Sequence, residues 1–350
     1  MNPLTRFSPF LSRLRKHVGL PNGYQETASR SWTISPAVHS CVPPAIFEAS
    51  DLAKVTGGSP GLKRLEDEFD RATGKTGTHG ATVAYELRNA VLSRGHLFTM
   101  RTSHPISAHA AVPLFAFKIA AEYSEAALAT SWLGIRYFGH WMTDDLPRLL
   151  AARTIGHPVS QMTAPTPAQR DYIKLFCLQA DTVTDAFFRR IVILDDFGQN
   201  DYKRERFSRL QQSALPHGVP GRAAKVMLLR GNSGVRRVLV NELELAQIAK
   251  ARGFQVMDPA VTDAAEILRW CVNASVVLGV EGSQLANGIL WMSPKGTLVI
   301  LEPPQRFSLV LKDYCDCIGI RCAFIVGDQA GDEDFRVDPT AFQRLLDRVH

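Results

Sequence analysis

The chain has 350 residues, of which 45% are hydrophobic and 21% charged, and a formal net charge of +6. That length is more than one core usually serves, so two domains are expected, and the composition excludes a disordered or low-complexity chain. No apolar run reaches the ~18 residues of a membrane-spanning helix.

The N-terminal stretch MNPLTRFSPFLSRLRKHVGL sets Phe7, Phe10, Leu11 and Leu14 near helical spacing among Arg6, Arg13, Arg15 and Lys16. It lacks the apolar core and small-residue cleavage site of a signal peptide. A basic amphipathic segment can lie on an anionic membrane surface, so residues 1–20 are a candidate peripheral contact for an otherwise cytoplasmic protein. The rest of residues 1–95 reads as an N-terminal extension and the start of the first domain. Within it, Gly74-Lys75-Thr76 has the look of a phosphate loop's end. Phe69 stands where that motif needs its first glycine, and no strand precedes it, so the match is rejected.

Residues 96–215 read as a first α/β domain. It has apolar runs near 111–120 and 187–194 and helical patterns near 147–153 and 168–180. Residues 201–224 read as a helix, with Pro216-His217-Gly218-Val219-Pro220-Gly221 as an interdomain linker. From Asp201 to Arg237 the acids are Asp201 and Glu205, against Lys203, Arg204, Arg206, Arg209, Arg222, Lys225, Arg230, Arg236 and Arg237. This basic stretch favours an anionic partner. It matches no nucleic-acid module.

Residues 222–330 give the clearest pattern. Strands are expected at 226–229, 254–257, 275–280 and 297–301, with a helix between each pair. Asn241 with Glu244 and Asp263 with Glu266 mark two helix starts. A third helix is expected from Ser283 to about Met292. This alternation implies a parallel, doubly wound sheet. Residues 331–350 read as a tail or a helix. Cys41, Cys177 and Cys271 stand alone, as buried thiols do, and Cys315, Cys317 and Cys322 lack the paired spacing and nearby His of a zinc site. Asp332-Glu333-Asp334 has a metal-binding spacing but reads as a solvated loop, so no metal ligand is assigned.

Ligands of such sheets bind where the strands end. The first strand ends in Arg230-Gly231-Asn232-Ser233-Gly234-Val235-Arg236-Arg237, whose guanidinium forks suit phosphate oxygens. The third ends in Gly279-Val280-Glu281-Gly282-Ser283-Gln284, where free backbone N–H groups and a helix start favour an anion and Gly282 lets it approach. The fourth ends at Glu302, a carboxylate able to accept ribose hydroxyls. No GxGxxG occurs in a β–α turn, which weighs against an NAD-dependent Rossmann enzyme.

Three segments together resemble glycosyltransferase family 61, which includes bacterial capsular-polysaccharide enzymes and eukaryotic xylosyl- and N-acetylglucosaminyltransferases. They are His140-Trp141 with Asp144-Asp145-Leu146-Pro147, then Arg236-Arg237 through Asn241-Glu242, and Gly279 through Asn287 with Leu301-Glu302-Pro303. The resemblance runs from about 135 to 325. It departs at Glu281, where many members carry His. It implies a GT-B fold, that is, two Rossmann-like domains with parallel sheets facing a cleft, acceptor on the first and nucleotide-sugar on the second. It further implies inversion at the anomeric carbon with no cofactor and no required metal, and a donor commonly linked to UDP. Polysaccharide biosynthesis from a glycan or lipid-linked acceptor is the expected setting, with no nucleic-acid partner. Donor contacts are expected from Arg230, Arg236, Arg237, Asn241, Gly279, Glu281, Gly282, Ser283, Gln284 and Glu302.

Inverting transfer needs a base for the acceptor hydroxyl. In GHWMTDDLPR, His140 and Asp144 are four apart and share a face if the segment is helical. Pro147 is comfortable only in a first turn, which instead starts the helix near Asp145. One acid is read as the base, with Asp144 preferred, the other as a cap or orienter, and His140 as orienting the base or the acceptor. Repulsion between the adjacent acids is expected to raise one pKa. The competing readings are a catalytically silent transferase-like scaffold subunit, kept open by Glu281, and an NAD-dependent enzyme.

Overall fold

The computed structural model describes residues 3–62, 64–107, 112–116, 118–219, 224–232 and 234–349. Pro220, Gly221 and Arg222 of the predicted linker and basic stretch, Ser233, and Ala111 and Phe117 of the predicted apolar run lie outside the described residues, as do Met1 and Asn2. The chain divides into two compact units, one of Met1–Val38 with His79–Arg206 and one of His39–Thr78 with Phe207–His350.

The first unit is built on a sheet with the spatial order Ser103–Pro105, His96–Phe98, Thr82–Ser93, Ala186–Asp195, Ala121–Leu128, Pro158–Ser160, Asp181–Thr182, and Arg30–Ser35 pairs with the start of Thr82–Ser93. Ala186–Asp195 and the three strands beyond it are mutually parallel, whereas Thr82–Ser93 runs antiparallel to Ala186–Asp195. The sheet is therefore mixed, a correction to the all-parallel expectation. The hairpin strands of residues 82–98 are joined by the two-residue turn Arg94-Gly95, and a two-residue connection can link only antiparallel neighbours. Its core is made by Leu87, Leu92, Ala126, Leu128, Val159, Phe188, Ile191 and Ile193.

The run at 111–120 forms no strand among its described residues. Phe115 instead packs against Phe7 and Phe10, with ring centroids 5.5 and 6.2 Å apart. The strand lies just after it, at Ala121–Leu128, where Glu122 and Glu125 hid the apolar pattern. Two helices end earlier than their patterns suggest. Pro167–Leu175 stops because Cys177 takes a left-handed conformation, φ 49°, which also leaves that thiol exposed rather than buried. Asp201–Ala214 gives way to a 3-10 turn at Leu215–His217, around Pro216, which has no N–H to continue the ladder.

The second unit carries five parallel strands in the order Phe254–Met257, Lys225–Leu228, Val276–Val280, Thr297–Glu302, Arg321–Val326. Numbered along the chain this is 2-1-3-4-5, with the topological switch between Lys225–Leu228 and Val276–Val280. Burial on both faces explains the uninterrupted apolar runs. The fifth strand, RCAFIV, was not anticipated. Residues 39–78 join this unit: Ile46 hydrogen-bonds Cys322 and Phe324 along the outer edge of that strand, and Glu68 accepts from the backbone of Leu309. Gly74, at φ 78°, ends the helix Leu65–Thr73, which is the ordinary use of a glycine in a left-handed cap. The expected tail contains the helix Pro339–Arg348, capped by Asp338. No described helix is long and apolar enough to cross a membrane.

Candidate functional site

In the first unit, the segment from Phe138 to Ile155 is helical throughout, interrupted by one π-helical turn at Trp141–Asp145. Leu146 N–H bonds back five residues to Trp141 C=O, the wider π spacing. The expected choice between a shared helical face and a helix starting at Asp145 resolves this way: the π turn is inserted just ahead of Pro147, whose missing N–H and bulky ring would disrupt a regular ladder. Such bulges recur at functional sites.

The turn places His140 and Asp144 together, with His140 Nδ1 2.8 Å from Asp144 Oδ2. The other oxygen of Asp144 accepts from Lys203 Nζ at 2.5 Å, and both of those side chains are wholly buried. Lys203 also donates to Asp196 C=O, while Arg206 forms a two-pronged pair with the Asp196 carboxylate at 2.6 and 2.7 Å. Thr82 donates to Asp196, and Asn200 donates to Thr82. These groups stand just past the carboxyl ends of the neighbouring parallel strands Ala121–Leu128 and Ala186–Asp195. Lys203 and Arg206 are thus buried struts. The anionic partner expected for this part of the basic stretch is internal: the carboxylates of Asp144 and Asp196.

The two adjacent acids have opposite electrostatics. Burial alone would raise the Asp144 carboxyl, but the Lys203 charge and the His140 hydrogen bond outweigh it and hold the group well below its ordinary range. Asp145 is pushed up to about 7, chiefly by burial, against the opposing pull of Arg148 and of the Ser131 N–H, which donates to both of its oxygens at 3.1 Å. Repulsion from Asp144 is a minor contributor, so the mechanism expected from adjacency is not the main one. Arg148 itself is buried, with its Nε 3.7 Å from Asp145 and its Nη1 donating to Leu194 C=O. With Asp144 ionised and accepting, His140 donates from Nδ1, which leaves Nε2 as the ring nitrogen not engaged by Asp144 on a side chain that retains 29% exposure.

In the second unit, three arginines gather at the switch point. Arg230, just past Lys225–Leu228, donates to Gln284 Oε1 at 3.0 Å and to Val235 C=O at 2.9 Å. Arg237 donates to Glu281 C=O and pairs with its carboxylate at 2.7 Å. Arg306 completes the group, close enough to act electrostatically on both. Burial, followed by the charge of Arg237, pulls Arg230 down to about 10. Gly282, at φ 152°, lies against this cluster, and a Cβ there would collide with Arg230 Nη1. Glu302 is buried at the end of Thr297–Glu302, not a surface acid. One of its oxygens accepts from Ser308 N–H and the other has no hydrogen-bond partner among the described residues, and burial with the charge of Glu281 raises its carboxyl well above the ordinary range. Both amide atoms of Gln305 and the Nε of Arg306 are also buried without hydrogen-bond partners among the described residues.

The other expected donor residues divide. Gln284 belongs to the cluster, anchoring Arg230 and donating to Val280 C=O. Gly279 lies in the strand beside Leu228, and Ser283 opens a 3-10 turn. That turn and the single helical turn Ala286–Ile289 replace the expected longer helix, so a helix dipole adds little and the positive charge comes from side chains. Arg236 turns outward to Asp334, at 2.6 Å, which is where the Asp332–Asp334 acids find their partner. Asn241 caps nothing with its side chain: it pairs with both backbone groups of Val337, at 2.9 and 3.2 Å, and Glu242 takes the backbone N–H groups of Arg230 and Gly231. Gln305 and Arg306 escaped the sequence reading because they follow a Pro-Pro turn rather than a strand. Among the described residues no three His, Cys, Asp or Glu side chains are grouped to hold a metal.

Residues 138–300 match the protein-family model Glycosyltransferase 61, a span that runs from the start of the His140 helix to the fourth strand of the second sheet. No curated protein matches the chain.

Proposed function

Taking the chain as a member of glycosyltransferase family 61, we propose that it moves a sugar from a nucleotide-sugar donor to a glycan acceptor with inversion and without a required metal. The observation that carries this reading is the convergence of Arg230, Arg237 and Arg306 around Gly282 at the switch point of a 2-1-3-4-5 sheet. Fixed guanidinium groups in a partly buried site stabilise the charge that develops on a departing diphosphate, the role a divalent cation has elsewhere. Glu302 Oε1, the Gln305 amide and Arg306 Nε supply unsatisfied buried polar atoms for the remainder of the nucleotide. Buried polar atoms without partners are rare enough to call for a ligand or ordered water.

The base in this proposal is His140 rather than either aspartate. Asp144, held ionised by Lys203, fixes the Nδ1–H tautomer and orients the ring, which is the work of the carboxylate in a His–Asp pair. His140 Nε2 takes the proton as the acceptor oxygen bonds to the anomeric carbon. The bond from that carbon to the phosphate oxygen breaks on the opposite side, and the nucleoside diphosphate leaves with the electron pair. This assigns acceptor handling to the first unit and donor handling to the second, the division of labour in a GT-B enzyme. UDP is the expected carrier, and polysaccharide assembly the expected setting. Contact with an anionic membrane face through the N-terminal helix is supported by Phe10, Leu14, Val18 and Leu20, which stay exposed beside Arg13, Arg15 and Lys16.

Thermal-shift titration with UDP, GDP, CMP, dTDP and NAD, with and without EDTA, tests the reading, because a ligand of the folded state raises Tm. Stabilisation by one nucleoside diphosphate, insensitive to EDTA and lost in Arg230→Gln, is the expected result. No shift with any of them would favour the silent scaffold, and a shift with NAD alone would favour the dehydrogenase.

A further inference from the structure

A cavity of about 390 Å³ lies within the first unit, where the chain leaves the carboxyl ends of the parallel strands Ala121–Leu128, Pro158–Ser160 and Asp181–Thr182. That volume falls within the range of small-molecule sites. Arg94, Arg136, Phe138, Gln161, Thr163 and Asp185 are among the residues that line it. None of them belongs to the switch-point cluster of the second unit.

The charges of this cavity are unbalanced. Its lining holds two guanidinium groups and one carboxylate, and the carboxylate of Asp185 already accepts from Ser93 at 3.1 Å. Neither Arg94 nor Arg136 has a carboxylate partner among the described residues. Both side chains are exposed, and they are placed in different ways. Arg94 sits in the tight hairpin turn with Gly95, at φ 47°, a conformation that costs a residue with a Cβ and that Asn, Asp or Gly would adopt more readily. Arg136 lies over two exposed rings, 5.3 Å from the centroids of both Trp132 and Tyr137. This cation–π pairing orders the side chain while leaving its N–H donors free for an anion. Tyr137 in turn approaches His140, with ring centroids 6.1 Å apart, so the aromatic group joins the cavity's rim to the proposed base.

We propose that this cavity binds an acceptor sugar that carries an anionic substituent, a carboxylate or a phosphate. The inference rests on the transferase reading for the word acceptor. Hydroxyls of the sugar meet Gln161 and Thr163, an apolar ring face meets Phe138, and the two arginines take the charge. A neutral glycan would leave the ring-stacked Arg136 and the neighbouring Arg94 without an anion to meet, and a bare anion would not need the apolar and amide lining.

Ligand-observed NMR on the full chain tests this with three probes: methyl glucuronide, glucose 1-phosphate and methyl glucoside. The expected result is binding of one or both acidic probes over the neutral one. Arg94→Gln or Arg136→Gln should weaken it by about tenfold or more, the usual effect of losing one charge-assisted hydrogen bond, and Arg136→Lys should recover part of the loss. The acidic probe that binds distinguishes a uronate from a sugar phosphate. Equal binding of all three, binding of none, or binding unaltered by the Gln variants whose thermal melts match wild type would overturn the proposal. UDP titrated in the same samples separates the two readings. Acidic-probe binding without any nucleotide binding leaves the cavity's ligand class standing and removes the transferase reading, whereas UDP binding with no acidic-probe binding does the reverse.

Discussion

Lys203 Nζ and His140 Nδ1 share one carboxylate: the ammonium meets Asp144 Oδ1 at 2.5 Å and the imidazole meets Oδ2 at 2.8 Å. The lysine thus fixes the ionisation of the group that orients the histidine. Removing one partner of a buried pair leaves the other charge uncompensated, at a cost of about 3–5 kcal/mol. Lys203→Met should destabilise the protein on that scale in chemical denaturation. Adding Asp144→Asn removes the orphaned charge and should recover much of the loss. Simple additivity of the two substitutions would show that the pair is not coupled as the geometry requires.

The assignment of His140 as base separates three variants that adjacency alone cannot. His140→Gln should lower kcat by roughly 10²–10⁴-fold, the usual contribution of a general base, while nucleoside diphosphate binding stays unchanged. Asp144→Asn should also lower kcat, because an amide facing Nδ1 no longer enforces the tautomer. Asp145→Asn should act mainly on stability. Steady-state kinetics beside a diphosphate titration makes the comparison, and near-wild-type turnover in His140→Gln would eliminate this base.

Gly282 is where backbone geometry bears on the proposed diphosphate site. At φ 152° it occupies a region that only glycine holds without strain, and the side of the residue where a Cβ would stand is filled by Arg230 and Gln284. Gly282→Ala should displace the Arg230 guanidinium and weaken nucleoside diphosphate binding by about tenfold or more, as expected for one charge-assisted hydrogen bond to phosphate. Isothermal titration with the diphosphate that stabilises wild type checks this, with Gly231→Ala as a control for substituting a positive-φ glycine in the same loop cluster: Gly231, at φ 52°, is in the left-handed region that other residues of this chain also adopt, and has open space where its Cβ would be.

Much of the second unit was legible because parallel strands buried on both faces write themselves as apolar runs. Val276–Val280 and Thr297–Glu302 are such runs, and the loops after them held residues that turned out to cluster. The first unit was harder. Ala121–Leu128 carries exposed Glu122 and Glu125, one on each face, which break its apolar run, and the order of a mixed sheet leaves no periodic trace. Of the candidate site, His140, Asp144, Arg230, Arg237, Glu281 and Glu302 could be singled out by residue type and position. Their partners were not. Lys203 lies 59 positions from Asp144, and nothing local distinguishes a lysine that will be buried from the solvated Arg204 beside it. Asn241 and Arg236 were misleading for the same reason: a capping residue and a phosphate-seeking arginine look alike in sequence whether they meet a ligand or a distant backbone group or acid.

The two adjacent acids should also leave opposite marks on the pH dependence of stability. Asp144 is depressed in the folded state, so its contribution is present above the ordinary carboxylate value near 4 and is lost progressively as pH falls below about 4 toward the depressed folded value. Asp145 has the reverse sign. Raised to about 7 by burial, it binds a proton more tightly folded than unfolded, so folding is favoured below about 4 and that advantage is lost as pH rises toward 7. Asp145→Asn mimics the protonated carboxyl and keeps an oxygen for the Ser131 N–H. Its stability relative to wild type should therefore grow between pH 4 and 7, by an amount on the order of a few kcal/mol. Urea denaturation of both proteins across that window measures the difference. A difference that stays flat with pH would mean that Asp145 remains ionised in the folded state, stabilised there by Arg148 more strongly than burial opposes it.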